Sequence, residues 1–138
     1  MLLDPARFKR LPVSFMNADH ADEARLLNAA AELVEAFRAG TAGADQVAAA
    51  LGALYLHTRA HFAGEETAMI ESSFPAYTFH RAEHVRILEE LGQAERRFRE
   101  GRDPEALAAY LATAPEWLED HVRTMDATTA RYVAEWGG

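Results

Sequence analysis

The chain has 138 residues and a formal net charge of −8; 49% of its residues are hydrophobic and 26% are charged. This length predicts one domain, residues 1–138, and the negative charge argues against a nucleic-acid partner. Because the sequence contains no cysteine, disulfides, thiolate nucleophiles and cysteine-based zinc or iron–sulfur sites are excluded. Any metal must be held by His, Asp or Glu.

The beginning of the chain predicts a short arm followed by two long helices. The arm takes residues 1–17, and the first helix is expected to start between Ala18 and His20 and to end at Gly40. On the second helix, seven residues follow one another at alternating spacings of four and three, so their side chains share one face: Val47, Leu51, Leu54, Thr58, His61, Glu65 and Ala68. A histidine and a glutamate therefore continue an apolar stripe.

The rest of the chain predicts a third long helix, a short helix and a last long helix. The third runs from about Pro75 to Glu100, and its core-facing row is His80, His84, Ile87, Leu91, Ala94 and Phe98. Asp103 and Pro104 are typical of a helix start, and a capping-box pattern around Pro115 predicts that the last helix begins separately. That helix places Leu118, His121 and Met125 on one row.

These elements predict an all-α fold, an up-down-up-down antiparallel four-helix bundle over residues 18–136. The N-terminal arm and the short extra helix are expected to cover its ends. No apolar run approaches the roughly 20 residues that span a bilayer. The N-terminus lacks the pattern of a secretory signal. We therefore expect a cytoplasmic protein that does not enter a membrane.

Polar side chains on core-facing rows are the unusual feature of this bundle. Burying an ionisable group without a partner costs on the order of several kcal/mol. A protein core therefore does not contain many such groups unless an opposite charge or a hydrogen bond compensates each one. One lone core histidine is usually hydrogen-bonded to the backbone. Five on four helices, together with a glutamate, predict a metal centre instead: His20, His61, Glu65, His80, His84 and His121.

The number of donors restricts the kind of metal centre. Imidazole suits zinc, copper and iron, but this set has more donors than one tetrahedral zinc ion needs. The ferritin-like di-iron pattern requires Glu-x-x-His pairs, which this sequence lacks. A nitrogen-rich di-iron centre is the interpretation that remains, with a structural zinc bundle as the simple alternative.

Four segments resemble the signature motifs of the hemerythrin family, and of bacterial hemerythrins in particular. The His61-Phe62-Ala63-Gly64-Glu65-Glu66 segment with Met69 resembles HFxxEExxM. The other three segments are Phe74-Pro75 followed by His80 and His84, Trp117-Leu118 followed by His121 and Asp126, and His20 followed by Asn28. The resemblance extends from about residue 13 to the end of the chain.

The resemblance implies two iron ions joined by an oxo or hydroxo bridge, with dioxygen as the ligand and partner. Carried over position by position, it implies that His80, His84 and His121 hold one iron and that His20 and His61 hold the other. Glu65 and Asp126 would bridge the two. Asp126 follows His121 by five residues, about 140° around an α-helix, so only the resemblance assigns it.

The implied function is reversible dioxygen binding for carriage, storage, delivery or sensing. The alternative is an enzyme that reduces peroxide or reacts with nitric oxide at the same di-iron centre. An apolar wall of Phe62, Trp117, Leu118 and Met125 is expected to exclude water and protons. His57, one turn before His61, stands where the family commonly has an aromatic residue. It is an outer partner, an additional ligand or a partly exposed side chain.

Overall fold

The computed structural model describes residues 8, 10–101 and 103–137. Eight of the seventeen residues of the predicted arm, residues 1–7 and residue 9, lie outside the described residues. The helices are α1 (Ser14–Arg38), α2 (Ala44–Glu71), α3 (Tyr77–Gly101), α4 (Pro104–His121) and α5 (Ala127–Gly137), with a π-helical segment, Val122–Asp126, between the last two. Over the described ranges the structure contains helices and no strand.

The helices form the predicted four-helix bundle. α1 packs against α2 and α4, and α3 packs against the same two helices. The connections between α1, α2, α3 and α4 are short, so each of these helices runs antiparallel to the one before it, and α5 continues the direction of α4. No helix in the part of the chain that the structure describes is both long and apolar enough to cross a membrane.

The first helix begins at Ser14, four to six residues before the predicted start between Ala18 and His20. Met16 on its first turn is 1% exposed, and burial of this side chain favours the longer helix. The backbone before the helix is tied to it by Asn17, whose side chain accepts a hydrogen bond from Leu11 N–H and donates one to Leu11 O, each 2.8 Å long. The arm therefore ends on the first turn of α1.

The prediction of a separate short helix before the last long helix is wrong. α4 runs without a break from Pro104 through Pro115 to His121, and the chain stays helical to Gly137. Asp103 caps its start, accepting hydrogen bonds from Glu105 N–H and Ala106 N–H. A proline inside a helix removes one backbone hydrogen bond. Because buried leucines lie on both sides of Pro115, at 107, 111 and 118, their packing favours one continuous helix.

The apolar core lies in the bundle interior on both sides of the buried histidines. Its largest fully buried apolar side chains are Phe98, Met16, Leu51, Leu54, Met69 and Leu107. Phe37 packs edge-on against Phe98, with ring centroids 5.4 Å apart. The same rows of α2 and α3 that supply this core continue into the buried histidines.

Candidate metal centre

All seven predicted ligands converge on one buried place in the bundle. α1, α2, α3 and α4 each supply histidines, and the π-helical segment supplies the aspartate. None is more than 4% exposed: His20, His61, Glu65, His80, His84, His121 and Asp126. The structure therefore brings together every residue of the predicted set.

The donor atoms form two overlapping groups, in each of which all atoms lie within 4.8 Å of one another. The larger group has five donors: Glu65, His80, His84, His121 and Asp126. The smaller group has four: His20, His61, Glu65 and Asp126. The two carboxylates belong to both groups, so two adjacent groups that could each hold a cation share them.

Each shared carboxylate directs one oxygen to each group. Glu65 Oε2 lies 2.9 Å from His61 Nε2, while Glu65 Oε1 lies 3.1 Å from His84 Nε2. Asp126 repeats the pattern. Its Oδ2 is 2.8 Å from His20 Nε2, and its Oδ1 is 3.0 Å from Nε2 of both His80 and His121. This is the geometry expected of two bridging carboxylates.

The electrostatics of the centre keep both carboxylates ionised. Burial and the charge of Asp126 oppose ionisation of Glu65, but His20, His61 and His84 outweigh them and lower its pKa. Burial also opposes ionisation of Asp126. His121, His20 and His80 nevertheless lower its pKa well below the usual value. The carboxylates are therefore available as anionic ligands.

The pKa values of two imidazoles shift in the opposite direction, upwards. Burial favours the neutral form of His20, yet hydrogen bonds to Asp126 and Glu65 raise its pKa. Burial likewise favours neutral His61, and its contacts with Glu23 and Glu65 raise its pKa well above 6.5. Without a metal, protons compensate the negative charge of the carboxylates. A cation would take over that role.

The donor set fits a di-iron centre in its chemistry. Among the described residues, four buried atoms of the cluster's side chains lack a hydrogen bond: His20 Nδ1, Glu65 Oε1, His84 Nε2 and Asp126 Oδ1. The last three face other donors of the cluster. Nε2 of His80 and Nε2 of His121 face each other 3.4 Å apart. Such atoms are costly to bury unless their lone pairs converge on a cation. Five imidazoles and two bridging carboxylates suit two ions of higher coordination number than zinc prefers.

Other side chains orient the imidazoles through their outer nitrogens or ring faces. His84 Nδ1 lies 2.9 Å from Glu66 Oε2, and His80 Nδ1 lies 2.8 Å from Thr129 Oγ1. Phe62 stacks on His84 with ring centroids 3.8 Å apart. Trp117 stacks on His121 at 5.0 Å. These contacts direct Nε2 of each ring towards the centre.

The π-helical segment explains the position of Asp126. In a regular α-helix, a residue five positions after His121 would lie well off its face. Residues 122–126 instead form a wider turn with i→i+5 hydrogen bonds, and both ends of this turn face the core. His121 and Asp126 therefore belong to the same donor group. Assigning residues to helix faces by their spacing could not predict that His121 and Asp126 lie together, because that method assumes α-helical geometry throughout.

A buried glutamate outside the predicted set also reaches the centre. Glu23 on α1 is 5% exposed, and its Oε1 lies 3.3 Å from His61 Nδ1. His57 Nε2 lies 3.5 Å from the same oxygen and 3.2 Å from the carbonyl oxygen of Asp19. His57 is thus placed as an outer partner. Glu23 follows His20 by three residues, a spacing that puts both side chains on the same face of α1. This spacing could have identified Glu23 as a candidate from the sequence.

Most of the expected apolar wall lies beside the centre. Leu118 and Trp117 line a cavity of about 200 Å³, whose polar side includes Glu23 and Thr58. Phe62 is 2% exposed and stacks on His84. Met125 lines a separate cavity of about 270 Å³ next to His80. The predicted wall is therefore divided between two sides of the site.

Known proteins resemble this chain in sequence and in fold. Residues 11–133 match the family model of the hemerythrin HHE cation binding domain. Bacteriohemerythrin from Ralstonia nicotianae is 35% identical over 122 residues, 88% of this chain and 81% of that protein. Bacteriohemerythrin from Aquifex aeolicus is 29% identical over 136 residues, 98% of this chain and 100% of that protein.

Solved structures of hemerythrin variants share the fold. A leucine-to-tyrosine mutant of a hemerythrin has a TM-score of 0.82 at 20% identity, covering 97% of both chains. A leucine-to-alanine mutant has a TM-score of 0.81 at 21% identity with the same coverage. The family model covers most of the chain, and the predicted resemblance is confirmed: this chain belongs to the hemerythrin family.

Proposed function

We propose that this protein binds dioxygen reversibly at a di-iron centre held by the seven converging side chains. The larger donor group would hold one iron, and the smaller group would hold the other. Since the smaller group has one protein donor fewer, its iron would keep a position for dioxygen. Two ferrous ions bound there would supply the electrons that hold dioxygen, and the irons would take these electrons back when dioxygen is released.

One observation carries the proposal: each oxygen of Glu65 and Asp126 faces a different donor group. A site for one ion would not need two carboxylates that each direct their two oxygens to different donor groups. The imidazoles lie on helices, and four of them, His61, His80, His84 and His121, are also held by an outer partner. This limits movement of the ligands. Phe62, Trp117 and Leu118 limit the access of water and protons, and this favours release of dioxygen over its reduction.

The second candidate is an enzyme that reduces peroxide or reacts with nitric oxide at the same centre. His57 and Glu23 favour it, because they form a polar connection on one side of the smaller group. His57 is partly exposed, with 19% of its side chain accessible, and Glu23 contacts His61. Reduction of an oxygen ligand needs protons, and this connection is where the apolar wall is interrupted.

Optical spectroscopy separates the two functions. The iron-free protein is loaded with ferrous iron under anaerobic conditions and mixed with dioxygen. Reversible binding predicts a visible absorption that develops on mixing, persists, and disappears when dioxygen is removed. Rapid oxidation without this absorption, together with sustained turnover of peroxide in the presence of a reductant, would contradict the proposed function.

Leu118 provides a prediction about the lifetime of the oxygenated protein. We expect Leu118→Ala to oxidise to the ferric form faster than the wild type, because truncation enlarges the cavity beside the centre and admits water. The rate is measured from the decay of the oxygen-dependent absorption. Truncating a buried leucine costs about 2–5 kcal/mol of stability, so the control must carry the same cost.

Leu107→Ala is that control. Leu107 is a buried leucine of the same helix, 2% exposed, and fourteen residues before His121, roughly 21 Å along an α-helix. We expect it to lose similar stability while keeping the wild-type rate of oxidation. Equal rates in the two variants would show that Leu118 does not protect the centre.

A further inference from the structure

Glu23 is a buried carboxylate with three polar neighbours, all on α2. Thr58 donates a hydrogen bond of 2.6 Å to its Oε2. Its Oε1 lies 3.3 Å from His61 Nδ1 and 3.5 Å from His57 Nε2. A carboxylate that is 5% exposed needs such partners to stay ionised. Its place is therefore fixed on the outer side of one candidate ligand.

The geometry determines which nitrogen of His61 is available to a metal. His61 Nε2 faces Glu65 Oε2 at 2.9 Å, inside the centre, whereas Nδ1 faces Glu23. A neutral imidazole carries one proton. If Nδ1–H donates to Glu23, the lone pair of Nε2 points to the cation. Glu23 thus selects the ligating tautomer of His61.

The outer partners are distributed unequally over the two donor groups. In the larger group, His80 has the neutral hydroxyl of Thr129 and His84 has Glu66, which is 23% exposed. In the smaller group, His61 has the almost fully buried Glu23. A buried carboxylate is less screened than an exposed one, so its charge acts more strongly on the ring.

We propose that Glu23 is a positioning residue that fixes His61 and strengthens its donation to the iron of the smaller donor group. This inference rests on the proposed di-iron centre. The negative charge of Glu23, transmitted through the imidazole, stabilises ferric over ferrous iron and lowers the reduction potential at the ion with the open position. Electron release towards dioxygen is favoured at that ion.

Glu23→Gln tests the role, because the amide keeps the size and an acceptor oxygen but loses the charge. We expect iron to be released to a chelator about tenfold faster than from the wild type, the lower end of the effect of removing such a partner. We also expect a higher reduction potential of the centre, measured by spectroelectrochemical titration. A merely structural role would not shift the potential.

Glu90→Gln is the matched control. Glu90 lines the same cavity as Glu23, but its carboxylate pairs with Arg86 at 2.8 Å. The substitution removes the same charge near the centre without touching an imidazole, so we expect wild-type iron release and potential. A potential that shifts equally in both variants would overturn the proposal, since the effect would then be one of general charge.

Thr58→Val is a second variant that keeps Glu23 and removes the hydroxyl that holds it. It should shift the potential and the release rate in the same direction as Glu23→Gln, by a smaller amount. It also tests the proposal if Glu23→Gln does not fold. Wild-type values in every foldable variant would overturn the proposal.

Metal analysis covers the competing possibility that Glu23 is itself a ligand. Ligand atoms of Glu23, His57 and His61 lie within 4.8 Å of one another. A third metal equivalent per wild-type chain that Glu23→Gln abolishes would therefore overturn a positioning role. The proposed function fails separately: if the wild type takes up two irons but shows no reversible oxygen absorption, the comparison of release rates and potentials still stands.

Discussion

Replacing Glu65 with alanine is expected to abolish the binding of both iron ions. Its Oε2 lies 2.9 Å from His61 Nε2 and its Oε1 lies 3.1 Å from His84 Nε2, so the substitution removes a donor from each group. The smaller group would then retain three donors and the larger group four. Iron per chain, measured by elemental analysis after desalting, should fall from two towards zero.

The same helix offers a matched control for this loss. Glu71 is exposed at the end of α2, and Glu71→Ala changes the net charge by the same amount. We expect it to keep two irons per chain. Two irons retained by Glu65→Ala, measured in parallel, would show that this carboxylate does not bridge the ions.

The second large effect is on the pH dependence of stability, which should decline above pH 6.5 in the iron-free protein but not in the iron-loaded protein. In the iron-free protein, the pKa values of His20 and His61 are raised above 6.5. Their contribution to the free energy of unfolding is full below pH 6.5 and is lost as pH rises through the folded-state pKa. Iron-free protein should therefore become less stable from pH 6.5 upwards.

The carboxylates set the acidic limit of the same curve. The pKa values of Glu65 and Asp126 are lowered from 4.5 and 3.8. Their contribution is full above those values and is lost as pH falls through the lower folded-state pKa. Iron-free protein should thus be most stable between about pH 4.5 and 6.5.

Iron removes the decline above pH 6.5, because it binds deprotonated imidazoles. The stability of the loaded protein should therefore rise with pH up to about 6.5, where unfolded histidines lose their protons, and then level off. We expect the difference in Tm between loaded and iron-free protein to grow steadily from pH 5.5 to 8. For each proton that iron displaces from a ligand, the free energy of iron binding changes by about 1.4 kcal/mol per pH unit. Differential scanning calorimetry of both forms in the same buffers measures this difference. A difference that stays constant or shrinks would contradict the assignment of the buried histidines.

The helical rows were predictable because they repeat every three or four residues. The rows of α2 and α3 carry His61, Glu65, His80 and His84 at α-helical spacing, and the structure buries all four. Antiparallel packing then brings the rows together. That the seven side chains bind iron stays a prediction.

The features that failed or were missed depend on departures from regular helices or on contacts between helices. Pro115 predicted a break, but tertiary packing of neighbouring leucines overrides it. Asp126 reaches the centre through a π-helical turn, which the α-helical period does not predict. The contact of Glu23 with His61 joins residues 38 positions apart, and only the packing of α1 on α2 sets that distance.

The central claim is that two neighbouring cations share Glu65 and Asp126. A crystal structure of the iron-loaded protein, with anomalous diffraction measured at the iron absorption edge, tests it most directly. We expect two iron peaks per chain, one among His80, His84 and His121 and the other beside His20 and His61, with the two carboxylates between them. A single peak, or a second peak away from His20 and His61, would contradict the claim.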